Sequence, residues 1–293
     1  MIIVYYFARA LIALIQSLPL PLVARLGRFG GGLAFRLDAR HRRVTVANLQ
    51  MCFGAEKSPH EIMALARENF RRIGENYCCA IKTSAMSAEE LRPYVELVDG
   101  GRLQPPRRMV IAIGHFGNFE LYARFQQFSP GYQCATTYRA LKQPELNQLL
   151  QSLREKSGCL YFERRTDAPL LRTAMSQPNI ILGLLADQSS RGMRAPFLGH
   201  DCDTGLAPAV FALRYHSELY TAFCFRVAPA KWSLELGDEI ATHENGAARS
   251  SEDIMREVNR SFEKAVRRDP ANWFWVHRRW KTQNPPAKKE IEG

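Results

Sequence analysis

The sequence predicts an α/β domain with a mainly parallel central sheet flanked by helices, and three observations predict it. Apolar runs at 109–113, 133–137, 180–185 and 219–227 alternate with helical periodicity at 119–128, 144–157, 168–177, 206–216 and 251–268, the order that builds strand–helix units over a parallel sheet. No Pro/Gly/Ser linker, repeat or low-complexity tract appears between residues 40 and 282, so one large domain is expected of the 293 residues. Two of the apolar runs end on chemistry, His115 after the first and Asp187 after the third. These are the carboxyl ends of strands, where α/β proteins place their sites.

From the amino terminus, residues 2–24 are apolar except for Arg9, Gln16, Ser17 and the prolines at 19 and 21. The stretch before Pro19 is at the lower length limit for a bilayer-spanning helix, and reads as a membrane helix that crosses the bilayer or lies in its surface. A buried core helix is the alternative. Arg25, Arg28, Arg36, Arg40, Arg42 and Arg43 follow at once, which places the rest of the chain on the cytoplasmic side. A cleaved signal peptide fits poorly, since no basic stretch precedes the run and no small-x-small site follows it. The organisation expected is an anchoring or interfacial helix at 1–24, a catalytic domain at 25–285 and a flexible tail at 286–293. Gly30-Gly31-Gly32 reads as a hinge or a close helix-packing point rather than a phosphate loop, because no strand precedes it and no Lys-Ser/Thr follows. Two helices are expected between Arg42 and Lys82, the second with Ile62, Leu65, Ala66, Asn69, Phe70, Ile73 and Tyr77 on one side.

The net charge of +11, from 40 Lys+Arg against 29 Asp+Glu, favours an anionic partner. No zinc-finger spacing, RNP-like stretch or basic heptad is present, which argues against nucleic acid and leaves anionic lipid. Seven cysteines without a Cys-x-x-Cys pair point to free thiols in a reducing compartment, and no zinc site is expected.

His115 precedes Glu120 by five residues, with glycines on both sides of it. An imidazole at a strand end with a carboxylate one turn into the next helix suits a base that takes a proton from an alcohol, the carboxylate holding the ring's tautomer. Gly117 permits close backbone approach, and the N–H groups of Phe116-Gly117-Asn118 are candidate oxyanion donors. Asn118 reads as fixing this loop, with substrate contact as the second role. Asp187 reads as functional, against a helix N-cap or a partner for a nearby arginine. Trp273-Phe274-Trp275-Val276-His277-Arg278-Arg279-Trp280-Lys281 fits a membrane-interface belt and core packing equally. No Gly-x-Ser-x-Gly elbow occurs, so no covalent intermediate is required.

The segment Gly114-His115-Phe116-Gly117-Asn118-Phe119-Glu120 resembles the signature of the late acyltransferases of bacterial lipid A biosynthesis, the lauroyl and myristoyl acyltransferases among the His-x4-Asp/Glu enzymes. Phe119 stands where many members carry Trp. Asn48-Leu49-Gln50-Met51-Cys52-Phe53, Glu68-Asn69-Phe70-Arg71-Arg72-Ile73-Gly74, Ala186-Asp187-Gln188, Pro196-Phe197-Leu198-Gly199 and Trp275 to Lys281 are similar to further family elements in the same order. The resemblance implies a glycerolipid-acyltransferase-like layered fold and His115 and Glu120 as catalytic residues. It also implies an acidic element at Asp187, and a basic substrate-binding residue at Arg164 or Arg165 with Arg165 slightly preferred. Tyr138-Arg139 is a weaker candidate, an arginine fork being suited to a phosphate. The activity implied is transfer of a fatty acyl chain from acyl carrier protein to a hydroxyl of a lipid A precursor or related glycolipid at the cytoplasmic face of the inner membrane. No cofactor is expected beyond the thioester co-substrate, and no metal. Alternatives are another acceptor such as a lysophospholipid, with acyl-CoA as donor, a thioester hydrolase, or a non-catalytic lipid-binding scaffold.

Overall fold

The fold is described from a computed structural model, in which residues 2–99 and 101–280 are placed, the side chains of the first two excepted. The expected tail at 286–293, and Lys281, lie outside the described residues. In chain order the elements are α1 (Ile2–Ser17), α2 (Leu20–Leu37), α3 (Ala39–Phe53), α4 (Pro59–Ala85), α5 (Ala88–Leu91), β1 (Val95–Val98), β2 (Met109–Ile113), β3 (Gln133–Tyr138), α6 (Pro144–Ser152), β4 (Leu160–Glu163), α7 (Ala168–Met175), β5 (Ile180–Leu185), β6 (Ser189–Phe197), β7 (His200–Thr204), α8 (Ala207–Arg214), β8 (Glu218–Ala228), β9 (Lys231–Glu239) and α9 (Ser251–Arg268).

Seven strands form the sheet in the order β1-β9-β8-β2-β5-β3-β4, parallel at every junction except β8–β9. β2 is buried at all five positions, as expected of a central parallel strand covered on both faces. Its alternate residues feed two cores. Val110 and Ala112 pack with α8, α9 and the tryptophan segment, and Ile111 and Ile113 with Leu121, Phe125, Cys134 and Ile181 on the other face. The four strands expected from apolar runs are present. β1, β4 and the β6–β7 hairpin lie outside those runs, because they are short or polar and carry little periodicity. β9 also escapes, its apolar positions Trp232, Leu234 and Leu236 being interleaved with charge, serine and glycine.

The stretch expected as an α-helix at 119–128 is a 3-10 helix, Phe119–Gln127. It is pinned to its neighbours: the Tyr122 hydroxyl donates to Ala222 O, and the buried Arg124 guanidinium donates to the carbonyls of Thr83, Ser84 and Met86 at the end of α4.

The glycine run acts as a helix-packing point. A Cβ on Gly31 would fall on the Phe70 carbonyl, and one on Gly27 on the Gly74 carbonyl, whereas Gly30 faces open space. α2 and α4 thus touch backbone to backbone. At the same contact Glu75, fully buried, accepts from Arg28 of α2, from Arg226 of β8 and from the Ala230 N–H.

A bilayer-crossing amino-terminal helix is not what forms. α1 ends at Ser17 before Pro19, and 16 residues rise only about 24 Å against the roughly 30 Å hydrocarbon core. No helix among the described residues is long and apolar enough to cross a membrane. Residue 24 falls inside α2, whose Leu20, Val23 and Ala24 are buried in the core. The aromatic carboxyl-terminal segment is core rather than interface belt, with Trp273, Trp275 and Trp280 buried. Two buried asparagines hold it: Asn48 donates to the carbonyls of Trp275 and His277, and Asn69 to those of Ala271 and Trp273.

Candidate active site

Parallel pairing of β2 with β5 sets Ile113 opposite Leu185, and the ladder runs on through Ala186 N–H to Ile113 O. The residues that follow, His115 and Asp187, therefore emerge side by side. The Asp187 carboxylate is fully buried and takes three hydrogen bonds. Its Oδ1 accepts from His115 Nδ1 at 2.7 Å, and its Oδ2 from the His115 backbone N–H at 2.7 Å and from Trp273 Nε1 at 2.8 Å. Burial alone would raise this carboxyl. The His115 ring charge and hydrogen bonds, with His277 nearby, outweigh burial and hold it well below the usual carboxylate range. A carboxylate on Nδ1 leaves Nε2 as the proton acceptor.

His115 lines a small pocket, about 370 Å³ including its open mouth, together with Tyr77, Ala80, Asn118, Phe119, Glu120 and Phe274 among others. The His115 ring meets Phe119 edge-on at 4.9 Å and Phe274 at 5.8 Å, so the base sits among apolar faces with 15% of its side chain exposed. Gln188 Nε2 lies 3.4 Å from His115 Nε2, an amide at the reacting edge. Gly117 holds a left-handed φ of +50°, and a Cβ there would strike the Cys224 carbonyl, which makes glycine necessary at this turn.

Two sequence expectations change in detail. The acid that orients the ring is Asp187 rather than Glu120, because strand pairing brings the former to Nδ1 while the turn at Gly117 carries the latter away. Glu120 instead accepts from Arg154 at 3.0 Å. Burial would lower the Arg154 guanidinium, but Glu120 beside it outweighs burial and raises it. The backbone N–H groups expected as oxyanion donors are partly spent within the fold, Phe116 on Gly114 O and Gly117 on Asn272 O.

Asn118 is buried against the pocket. Its Nδ2 makes a long 3.5 Å bond to Thr83, and its Oδ1 has no partner among the described residues. Arg139 and Arg164 line a second, larger cavity of about 1150 Å³ including its open mouth. Arg164 Nε donates to Thr137 across the end of β3. Arg165 is exposed and points its backbone N–H to Glu163, and Arg164 is the one of the two that lines the cavity. Arg279 is fully buried, bonding Asp203 O and Thr204 Oγ1, and is structural.

Residues outside the sequence expectation complete the site. Trp273 fixes Asp187 from a position two residues before the family-like element that begins at Trp275. Arg154 binds Glu120 from a helix end with no motif of its own. His277 is buried, its Nδ1 donating to Phe274 O and its ring stacked on Phe274; burial pushes it down to about 4, so it is neutral at neutral pH. The thiols are no nucleophiles here, burial pushing Cys134 up to about 12 and Cys159 and Cys224 further still.

The sequence model of the family described as bacterial lipid A biosynthesis acyltransferase matches residues 1–282. A curated relative, the lipid A biosynthesis lauroyltransferase of Escherichia coli (strain K12), is 22% identical over 290 residues, covering 92% of this chain and 89% of its own length.

Proposed function

The chain belongs to the bacterial lipid A biosynthesis acyltransferases and is an acyltransferase, and from this we propose that it moves a fatty acyl chain from the thioester of an acyl carrier protein to a hydroxyl of a lipid A precursor or closely related glycolipid. The observation that carries the reading is the hydrogen bond from His115 Nδ1 to the buried Asp187 carboxylate, on a histidine that lines an apolar pocket. The acceptor hydroxyl gives its proton to Nε2 as its oxygen bonds to the thioester carbonyl carbon. The imidazolium, stabilised by Asp187, then returns the proton to the thiolate as the C–S bond breaks. Gln188 supplies an amide donor beside the reacting atoms, and the Arg154 guanidinium, held by Glu120, sits at the pocket edge.

Membrane association belongs to the same proposal, at the cytoplasmic face of the inner membrane. Leu22, Leu26, Phe29, Leu33 and Leu37 form an exposed apolar stripe along α2, continued by Val4, Phe7, Leu11 and Leu14 on α1. Arg25, Arg36, Arg40 and Arg43 are exposed beside it. An apolar stripe flanked by cations suits an anionic leaflet without spanning it.

The test is transfer by purified protein from an acyl carrier thioester to a lipid A precursor, read as a mass gain of one acyl group. Product on a lysophospholipid instead, or thioester cleavage without acceptor acylation, would replace this reading with one of its alternatives.

A further inference from the structure

The pocket at His115 is the meeting point of two larger apolar chambers. One, with about 290 Å³ of room for water-sized molecules, lies on the sheet face formed by Ile111, Ile113, Ile181, Gly183 and Leu185. The other, with about 180 Å³ of such room, lies between α4 and α6 and is lined by Ile81, Ser84 and Leu153 among others. The first shares Phe119 and Glu120 with the His115 pocket, and the second shares Tyr77, Ala80 and Glu120 with it. Glu120, Leu150, Arg154 and Tyr161 line both chambers. The boundary they share, with Ala123 also in both linings, contains the Glu120–Arg154 ion pair, its guanidinium laid over the Tyr161 ring at 4.9 Å.

The surroundings of the chambers differ. The sheet chamber has Arg139 and Arg164 in its lining, both exposed, and these two offer positive charge at its rim to a phosphate-bearing, acidic partner. The α4 chamber adjoins the amino-terminal helix: Gln16 of α1 donates to Ile81 O and Ser84 Oγ, and Lys82 donates back to Gln16 O. The chamber thus lies beside the helix whose other residues, Val4, Phe7, Leu11 and Leu14, are exposed and apolar.

Resting on the function proposed above, we infer that the chambers receive two different hydrocarbon chains. The sheet chamber takes the acyl chain of the thioester donor, delivered past the cationic rim. The α4 chamber takes the acceptor chain next to the target hydroxyl, entering from the lipid surface on which α1 lies. The ion pair keeps the two chains apart and brings their reactive ends together at His115.

The experiment fills each chamber separately. At Gly183 an added Cβ meets only ordinary contacts with Ile113 and Ala135 O, so Gly183→Leu projects into the sheet chamber without backbone clash. Ser84→Leu fills the other. Each variant is assayed with acyl carrier thioesters of graded length against a lipid A precursor, alongside its melting temperature. Since one methylene of fit is worth about 10- to 200-fold, Gly183→Leu is expected to cut use of the longest accepted donor at least tenfold and shift the optimum to shorter chains. The acceptor KM should hold within threefold. Ser84→Leu is expected to raise the acceptor KM about tenfold with the donor profile unchanged. Cys159→Leu and Leu153→Trp serve the same arms should either protein fail to fold. Mapping the cross-links of a diazirine-tipped acyl thioester gives an acceptor-free reading, expected on β2, β3 and β5. Exchanged effects, both variants moving one profile, or cross-links at Ser84 and Leu153 overturn the assignment. Absence of transfer by the unaltered protein counts against the proposed function, and the cross-link map still decides the chamber that holds the donor.

Discussion

Replacing Asp187 by Asn tests the central geometry. In the parent, Oδ1 receives the Nδ1–H of His115, while Oδ2 receives two N–H groups, from the His115 backbone and from Trp273. An asparagine that keeps its oxygen at the doubly occupied position presents its NH₂ to Nδ1, which must then become an acceptor and push the ring proton to Nε2. An asparagine turned the other way sets its NH₂ against two buried donors, each worth about 1–3 kcal/mol when left unsatisfied. The first orientation is therefore preferred, and it removes the base. The wrong tautomer costs about 10⁴ in turnover in the serine-protease case, or roughly 5 kcal/mol of barrier, and a loss of about 10³ to 10⁴ is expected here. Turnover of the purified variant is measured beside His115→Ala and Glu120→Gln, with circular dichroism and melting temperature as fold controls. Asp187→Asn and His115→Ala should fall together and Glu120→Gln by less, since it keeps the ring's partner. A folded Asp187→Asn within tenfold of the parent, beside an inactive Glu120→Gln, refutes the reasoning.

Further outcomes are expected. Gly31→Ala should destabilise by about 1–3 kcal/mol by forcing α2 off α4, whereas Gly30→Ala in open space should be neutral or gain up to about 1 kcal/mol, both read by denaturant unfolding. His277 is held at about 4 against an ordinary 6.5, so the unfolded chain takes the proton first. Stability should fall as pH drops from about 6.5 to 4, by on the order of 3 kcal/mol, and His277→Gln should flatten that slope; the depressed Asp187 carboxyl acts only at still lower pH. Deleting residues 1–17 should leave a folded enzyme with weaker binding to anionic vesicles in flotation, whereas deleting 1–24 should also lower the melting temperature by removing Leu20, Val23 and Ala24 from the core. Arg164→Ala should raise the donor KM more than it lowers kcat, an effect that shrinks at high salt, and equal KM at low salt would remove Arg164 from the substrate site.

The sequence by itself determined the fold class, the four long strands and the extent of α9, and singled out His115 as the candidate base, because these rest on local signals: apolar period, chain punctuation and one compact motif. It also marked Asp187 by its place at a strand end, and Asn48 and Asn69 by motif. What it did not carry is pairing. Which acid meets His115 depends on β2 lying beside β5 in register, a contact across 72 residues, and the nearer carboxylate in sequence, Glu120, is turned to Arg154 by the glycine at 117. Whether three tryptophans face lipid or core is likewise undecidable from aromatic composition, and was decided by two asparagine side chains reaching from α3 and α4 to hold their backbone inside. Local sequence fixes what a segment prefers; partners brought from far along the chain, through strand register and buried hydrogen bonds, fix what its side chains do.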